Sequence, residues 1–482
     1  MLNCEILKYN DLPLEDGLDL QAIQSLLRSQ AQADRHKIVV LDDDPTGTQT
    51  VRDVPVYTDW SRESIRRGLL EPGKMFFILT NSRSFSAGRT REVHQEIGHR
   101  LAEVSKEVNV DFILISRGDS TLRGHYPLET EVLRDTLVSL TGREIHGEVL
   151  CPFFCEGGRF TYNNIHYVKE NDRLVPAGDT EFAKDKTFGY RSSDLREYIE
   201  EKTEGAYKKE DVVCILVEQL RSMDIDGVEQ RLMGVSGFGK VVVNAVTPGD
   251  LQVFCIALYR AIARGKRLLM RTAAGFVKEF GAVENSRLLD RRDLLTDHER
   301  KEGGLILIGS HTHKTTRQME RLRELPGIRM IEFDSDKVMD DKALEEQIDL
   351  VVRQEEDWIR RGATVAVYTK RRLLSLEGDT PEKALERSVK ISEAVQQLAG
   401  RLETAPSFIV AKGGITSSDV GTKALRVKRA WVQGQIQPGV PVWRTGPESR
   451  FPGIPYVIFP GNVGEDTTLR DAVKVLMSLP AY

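Results

Sequence analysis

Three times in its first quarter the chain runs from a short apolar segment straight into a polar tip. Residues 38–41 lead into Asp42-Asp43-Asp44, residues 75–79 into Thr80-Asn81-Ser82-Arg83-Ser84, and residues 112–116 into Arg117-Gly118-Asp119-Ser120-Thr121-Leu122-Arg123-Gly124. Each run is too short for a buried helix and rich in the residues of a buried strand. A helix is predicted over 90–104, and strand, tip and helix in repetition are the pattern of a parallel sheet covered by helices. Parallel strands point one way, so the three tips open on one edge, where ligands bind in open α/β sheets. The fold class expected is α/β: two α/β domains with largely parallel sheets and an active-site cleft between them.

That edge is predicted to gather Asp43, Asp44, Asn81, Arg83, Asp119, Ser120 and Arg123, with Thr46, Gly47, Ser82 and Arg117 in the same tips. Pro45-Thr46-Gly47 bars the first strand from continuing. Guanidinium groups suit a carboxylate or phosphate, and aspartates and small hydroxyls suit sugar hydroxyls. The set matches a small polyhydroxy acid. Plainer roles compete: Asp44 or Thr46 capping the next turn, Asp119 pairing with one of the arginines, and Ser120 capping a helix. Arg159, in the turn Gly157-Gly158-Arg159, either faces the same edge or forms a surface ion pair.

The second half repeats the rhythm. Residues 305–308 run into Gly309-Ser310, residues 408–410 into Ala411-Lys412-Gly413-Gly414-Ile415-Thr416, and residues 457–459 into Pro460-Gly461-Asn462-Val463-Gly464, before a closing helix over 467–477. Strand-to-helix turns of this kind place backbone N–H groups where a phosphate can sit, although a single such glycine more often marks tight geometry. Further strands are predicted at 54–58, 149–151, 211–216, 240–243 and 365–368. Residues 1–34 read as a helical extension and 284–301 as the connection between domains.

A chain of 482 residues has room for two domains. Its net charge of -5 argues against a nucleic-acid or anionic-membrane partner, and Arg291-Arg292 and Lys370-Arg371-Arg372 read as solvated faces. Five cysteines, an odd number, fit a reducing cytoplasm better than a disulfide framework. Cys151 and Cys155 lack a second pair, and His311 and His313 lack a further ligand nearby, so zinc is not expected. No run reaches transmembrane length, and no basic leader with an apolar core opens the chain. Walker A, dinucleotide, protein-kinase and Gly-x-Ser-x-Gly patterns are absent.

Taken together, Asp43-Asp44-Pro45-Thr46-Gly47, Asn81-Ser82-Arg83-Ser84, Asp119-Ser120-Thr121-Leu122-Arg123-Gly124, Gly309-Ser310, Gly413-Gly414 with Thr416, and Gly461-Asn462-Val463-Gly464 resemble the four-carbon acid sugar kinases, the DUF1537 family, from about Lys37 to the C-terminus. The resemblance implies ATP-dependent phosphorylation of a threonate, erythronate or 3-oxo-tetronate type of acid. Residues 1–285 would bind the acid and 300–482 would bind ATP with Mg²⁺. Asp43 or Asp44 would orient the hydroxyl and take its proton, and Arg123 would steady the transferring group. The acid would meet Thr46, Gly47, Asn81, Ser82, Arg83, Arg117, Asp119 and Ser120. The nucleotide would meet Ser310, Lys412, Gly413, Gly414, Thr416, Gly461, Asn462 and Gly464. Three positions depart from the family pattern: Arg117 stands for lysine, Ile415 for an acidic residue and Pro45 for leucine. The metal ligands stay open, as does assembly into a homo-oligomer. The competing readings are a non-catalytic sugar-acid sensor and a sugar-acid dehydrogenase or aldolase.

Overall fold

The structure is a computed structural model and describes residues 5–14, 17–284, 287–295, 301–372, 374, 381–461 and 463–477. It is a mixed α/β protein of two compact units. Met1–Val51 with Asp59–Asn285 form the first, and Arg52–Thr58 with Ser286–Tyr482 form the second. Among the described residues no helix is long and apolar enough to cross a membrane.

The first unit is built on parallel strands in the order Val213–Ile215, Gly239–Val243, Gly147–Cys151, Leu268–Thr272, Phe112–Arg117, Lys37–Asp42, Met75–Leu79. Residues 38–41 are sealed from solvent, as expected for strands covered on both faces. The helix Pro248–Ala263 is buried almost all round; Thr247 and Asp250 cap it reciprocally and Pro248 occupies its first turn. Against it packs the helix Leu20–Ala33, through Ile23, Leu27 and Ala31. The N-terminal extension is therefore only partly helical. Leu7–Lys8 is a strand that pairs with Arg173–Pro176 at one edge of an antiparallel sheet, followed by Ile165–Glu170 and Arg159–Tyr162.

The second unit runs Val54–Tyr57, Arg429–Gln437, Val440–Thr445, Pro455–Phe459, Ile409–Lys412, Leu305–Ile308, Thr364–Thr369, Ile328–Phe333. Its first three pairings are antiparallel and the rest parallel. One strand departs from a linear division of the chain. Val54–Tyr57 lies among first-unit residues in sequence, yet it pairs with Arg429–Val432 of the second unit. All four of its residues are buried, so its hydrogen-bonding edge decides its place, and periodicity carries no information about edges.

Glu355 projects into the second unit's interior from the helix Asp341–Arg360, with no exposure and with neither carboxylate oxygen hydrogen-bonded. Burial, then the neighbouring Glu356 charge, pushes its carboxyl well above the usual range, so the native state holds it protonated. The unfolded chain ionises it above about pH 4.3. Stability is therefore lost as pH rises from there through the raised native value. Glu355→Leu is expected to stabilise the unit by about 1–3 kcal/mol at neutral pH, with the gain shrinking toward pH 4. Urea midpoints at pH 4.5 and pH 8 check this; equal gaps would show that Glu355 is ionised in the native state.

Candidate functional site

Strand Lys37–Asp42 has Met75–Leu79 on one side and Phe112–Arg117 on the other. The chain leaves it for one neighbour and then crosses to the other, so its tip sits at a switch point of the sheet, where a crevice opens. Backbone bonds knit the tips: Asp43 N–H donates to the Arg117 carbonyl (3.3 Å), Arg83 N–H to the Asp43 carbonyl (3.4 Å), and Gly118 N–H to the Thr272 carbonyl (2.8 Å).

Arg83, Arg117 and Arg123 at this edge are already paired. Arg83 grips Asp43 through Nε (3.2 Å) and Nη2 (2.7 Å), and its Nη1 lies 3.7 Å from Asp44 Oδ2. Arg117 is buried, with Nη1 3.1 Å from Asp42 Oδ1 and 3.6 Å from Asp43 Oδ1. Arg123 Nε donates to Asp119 Oδ2 (2.7 Å), which also accepts from the Thr121 hydroxyl. Burial lifts the Asp42 carboxyl to about 7 against the pull of Arg117. Burial would raise Asp44 and Asp119 too, but Arg83, neighbouring hydrogen bonds and, for Asp119, Arg123 hold both below the ordinary carboxylate range. Gly47 is required here, because a Cβ on it would lie 2.0 Å from Asp42 Oδ2.

The predicted residues divide between the face of the site and its support. Asp44 also takes the plainer role, since its Oδ1 accepts from the Thr46 N–H (2.8 Å) and hydroxyl (2.5 Å) and so caps the turn Pro45–Thr48. Its Oδ2 has no hydrogen bond among the described residues, and its side chain is 18 % exposed. Asn81 sits half-buried in the left-handed region, φ 57°. Ser82, predicted as a binding residue, is fully buried, and its hydroxyl donates to Glu129 Oε1 (2.6 Å), so its side chain supports the tip. Arg117, also predicted as a binding residue, is turned to Asp42 and Asp43.

The loop 119–124 is lashed down carbonyl by carbonyl. Ser120 is buried in it rather than capping a helix, and its carbonyl accepts from His166 Nε2 (2.8 Å); Thr121 accepts from the Tyr190 hydroxyl (2.7 Å) and Leu122 from the Tyr198 hydroxyl (2.9 Å). His166 is neutral at physiological pH, because burial drops it to about 4. Beneath the loop lies Arg271, which sequence reasoning missed together with its strand Leu268–Thr272. Its Nη1 donates to Glu129 Oε2 (2.6 Å) and Ser116 Oγ (3.0 Å).

In the second unit the three glycine turns converge. Gly309 and Ser310 N–H groups both donate to the Lys412 carbonyl (3.2 and 3.3 Å), and Gly413 N–H donates to the Phe459 carbonyl (2.9 Å). A Cβ on Gly413 (φ 123°) would lie 3.3 Å from Ser310 Cβ, and one on Gly309 would lie 2.2 Å from Thr416 Oγ1. Gly414 opens the helix Gly414–Asp419. Lys412 is fully buried, and its Nζ donates to the carbonyls of Pro460 (2.6 Å) and Gly461 (3.1 Å). Burial, and then the Lys314 charge, brings it down to about 7. Gly464 holds φ 81° ahead of the closing helix; Asn462 lies outside the described residues. Arg371, expected on a solvated face, instead donates to the Ser310 carbonyl (2.7 Å) and the Thr316 hydroxyl (3.0 Å). Ile415 is 68 % exposed at the mouth of this turn.

Residues 38–280 match the family model of a sugar-binding N-terminal domain, and residues 305–469 match that of a nucleotide-binding C-terminal domain. No curated protein matches the chain. Among solved structures it is similar to the Haemophilus influenzae protein HI1011, of family model DUF1537, at 18% identity and a TM-score of 0.60, covering 91% of this chain and 100% of that one. It is also similar to a Salmonella typhimurium LT2 protein provisionally named a tRNA synthase, at 16% identity and a TM-score of 0.64, covering 90% and 98%. At these identities the likeness speaks for the fold alone.

Proposed function

Since this chain belongs to the DUF1537 family, with a sugar-binding N-terminal domain followed by a nucleotide-binding C-terminal domain, we propose that it is an ATP-dependent kinase of a four-carbon acid sugar of the threonate, erythronate or 3-oxo-tetronate type. Residues 1–285 take the acid and 300–482 take ATP. The observation that carries the reading is the partly exposed, ionised Asp44, with one carboxylate oxygen left without a hydrogen bond among the described residues, on the central strand tip among fixed guanidinium groups. Asp119 also keeps one oxygen, but it is less exposed and bound to Arg123.

In the reaction a hydroxyl oxygen of the acid bonds to the terminal phosphorus, the bridge to the ADP leaving group breaks, and the hydroxyl proton passes to Asp44. Such transfers rest on positioning and charge neutralisation more than on covalent help. Asp44 aims the hydroxyl, and Arg123, anchored by Asp119, faces the developing negative charge. The glycine turns fit a phosphate: the buried Lys412 amine, held by carbonyl oxygens, underlies them, and side chains at Gly309 or Gly413 would crowd the space. For Mg²⁺ no group of three or more His, Cys, Asp or Glu gathers among the described residues, so no step is assigned to the ion. Magnesium carried on nucleotide phosphates rarely uses a protein cage.

A coupled assay for ADP release against a panel of four- and five-carbon sugar acids tests the proposal. Release that depends on a four-carbon acid is expected. The exposed Ile415, where the family carries an acid, favours one second reading, a sensor that binds the acid without chemistry. Calorimetric binding of the acid with no ADP formed under any condition would establish the sensor and overturn the kinase.

A further inference from the structure

Arg159 begins the strand Arg159–Tyr162 of the antiparallel sheet. The other four guanidinium groups at this edge are each matched by a carboxylate: Arg83 by Asp43, Arg117 by Asp42, Arg123 by Asp119 and Arg271 by Glu129. Arg159 has no such partner among the described residues. Its Nη1 donates to the Gly157 carbonyl, and its Nε is buried without a hydrogen-bond partner. The guanidinium lies over the Phe182 ring (5.7 Å), as does that of Arg123 (5.0 Å). The charged and titratable groups that act on it are Asp119, Arg123 and Tyr190, and His166 feels its charge in turn. Asp119, the acid among them, is already bound to Arg123. No carboxylate among the described residues neutralises Arg159: a half-buried cation, with its Nε sealed and its guanidinium fixed by one carbonyl and one ring, acts on Asp119.

We propose that Arg159 is the residue that reads the carboxylate of the sugar acid, and so decides for acids against the corresponding neutral polyols. This rests on the proposed function and deepens it: Arg83, Arg117 and Arg123 order the aspartates, and Arg159 supplies a charge that no carboxylate among the described residues compensates. An uncompensated cation partly withdrawn from water, with its Nε sealed and unbonded, is completed by an anion at a gain, and a guanidinium fork matches a carboxylate in two-point geometry. The Phe182 face strips water from both neighbouring guanidinium groups, which strengthens the contact once it forms.

The test compares wild type, Arg159→Met and Arg159→Lys in binding threonate, erythronate and the neutral alditols threitol and erythritol by calorimetry, with KM and kcat from ADP release. In Arg159→Met the Kd and KM for the acid are expected to rise by about 10²-fold or more. Its preference for acid over alditol collapses, while kcat at saturation changes far less. Arg159→Lys keeps the charge without the fork and falls between, a grading that loss of folding would not produce. Wild-type affinity for the acid in Arg159→Met, with binding lost instead in Arg83→Met, overturns this proposal and leaves the kinase standing. A wild-type protein that binds neither acid sinks both.

Discussion

Asn in place of Asp44 is expected to lower kcat by about 10²–10⁴-fold, the range for losing a positioned proton acceptor, while the melting temperature stays close to that of wild type. The substitution is discriminating because Asp44 has two jobs on two oxygens. Oδ1 accepts from the Thr46 N–H and hydroxyl and shapes the turn Pro45–Thr48, and an amide oxygen can do the same. Oδ2 is the oxygen that the proposed reaction assigns to the substrate hydroxyl, and its negative charge is what Asn removes. Burial would raise this carboxyl, but Arg83 and the Thr46 bonds hold it below its ordinary value, so Asp44 is ionised throughout the neutral range. In the proposed reaction it would act by aiming the hydroxyl and taking the proton late. The kcat of wild type should accordingly show no rise through pH 5–8 attributable to Asp44. Steady-state ADP release and thermal melting on the purified variant decide the matter. An unchanged kcat would move the role to Asp119, whose Asn variant is the direct comparison.

The parts of this fold that were legible in sequence are those where one residue type has one use. Residues 38–41 lie sealed at the sheet's centre, and Gly309, Gly413 and Gly461 come together around Ser310 as the turn chemistry expects. What sequence hid was partnership. The pattern that identifies Arg83, Arg117 and Arg123 as anion binders is equally the pattern of cations neutralised by Asp43, Asp42 and Asp119, and only coordinates tell which carboxylate reaches which fork. Leu268–Thr272 escaped notice because it is short and carries Arg271 where a buried strand should be apolar; the arginine is tolerated only because Glu129, distant in sequence, meets it. Arg371 read as solvated among its basic neighbours, yet it anchors the Ser310 turn. For Val54–Tyr57 periodicity gave the strand and said nothing of its partner. Long-range pairing, not local propensity, was the missing quantity throughout.

Arg271→Met is expected to destabilise the first unit by about 3–5 kcal/mol, the cost of removing one partner of a buried ion pair. The guanidinium is nearly sealed from solvent and bound to Glu129 and Ser116. Glu129 is buried too, with Ser82 (2.6 Å) and His94 (3.8 Å) on its other oxygen. Burial would raise Glu129, but Arg271, His94 and Ser82 hold it below the ordinary carboxylate value. A carboxyl depressed in the native state stabilises above its unfolded value and loses that contribution as pH falls through the native one. Without Arg271 the sign reverses, and the buried acid penalises folding above its unfolded value, so the deficit of Arg271→Met should be larger at pH 8 than at pH 4.5. Adding Glu129→Gln removes the stranded charge and should recover most of the stability. Activity should not recover with it. Cβ atoms on Gly118 and Gly124 would lie only 2.4 and 2.7 Å from Arg271 Nη2, so both ends of the loop that carries Asp119 and Arg123 rest on that one side chain. Thioether packing cannot reproduce a planar support, and a displacement of about 1 Å in positioned groups costs about 10²-fold in rate. The double variant is thus expected to melt near wild type and to turn over at least tenfold more slowly, as denaturation curves and ADP release would read. Full activity in that stable double variant would show that the loop holds its shape through His166, Tyr190 and Tyr198 alone.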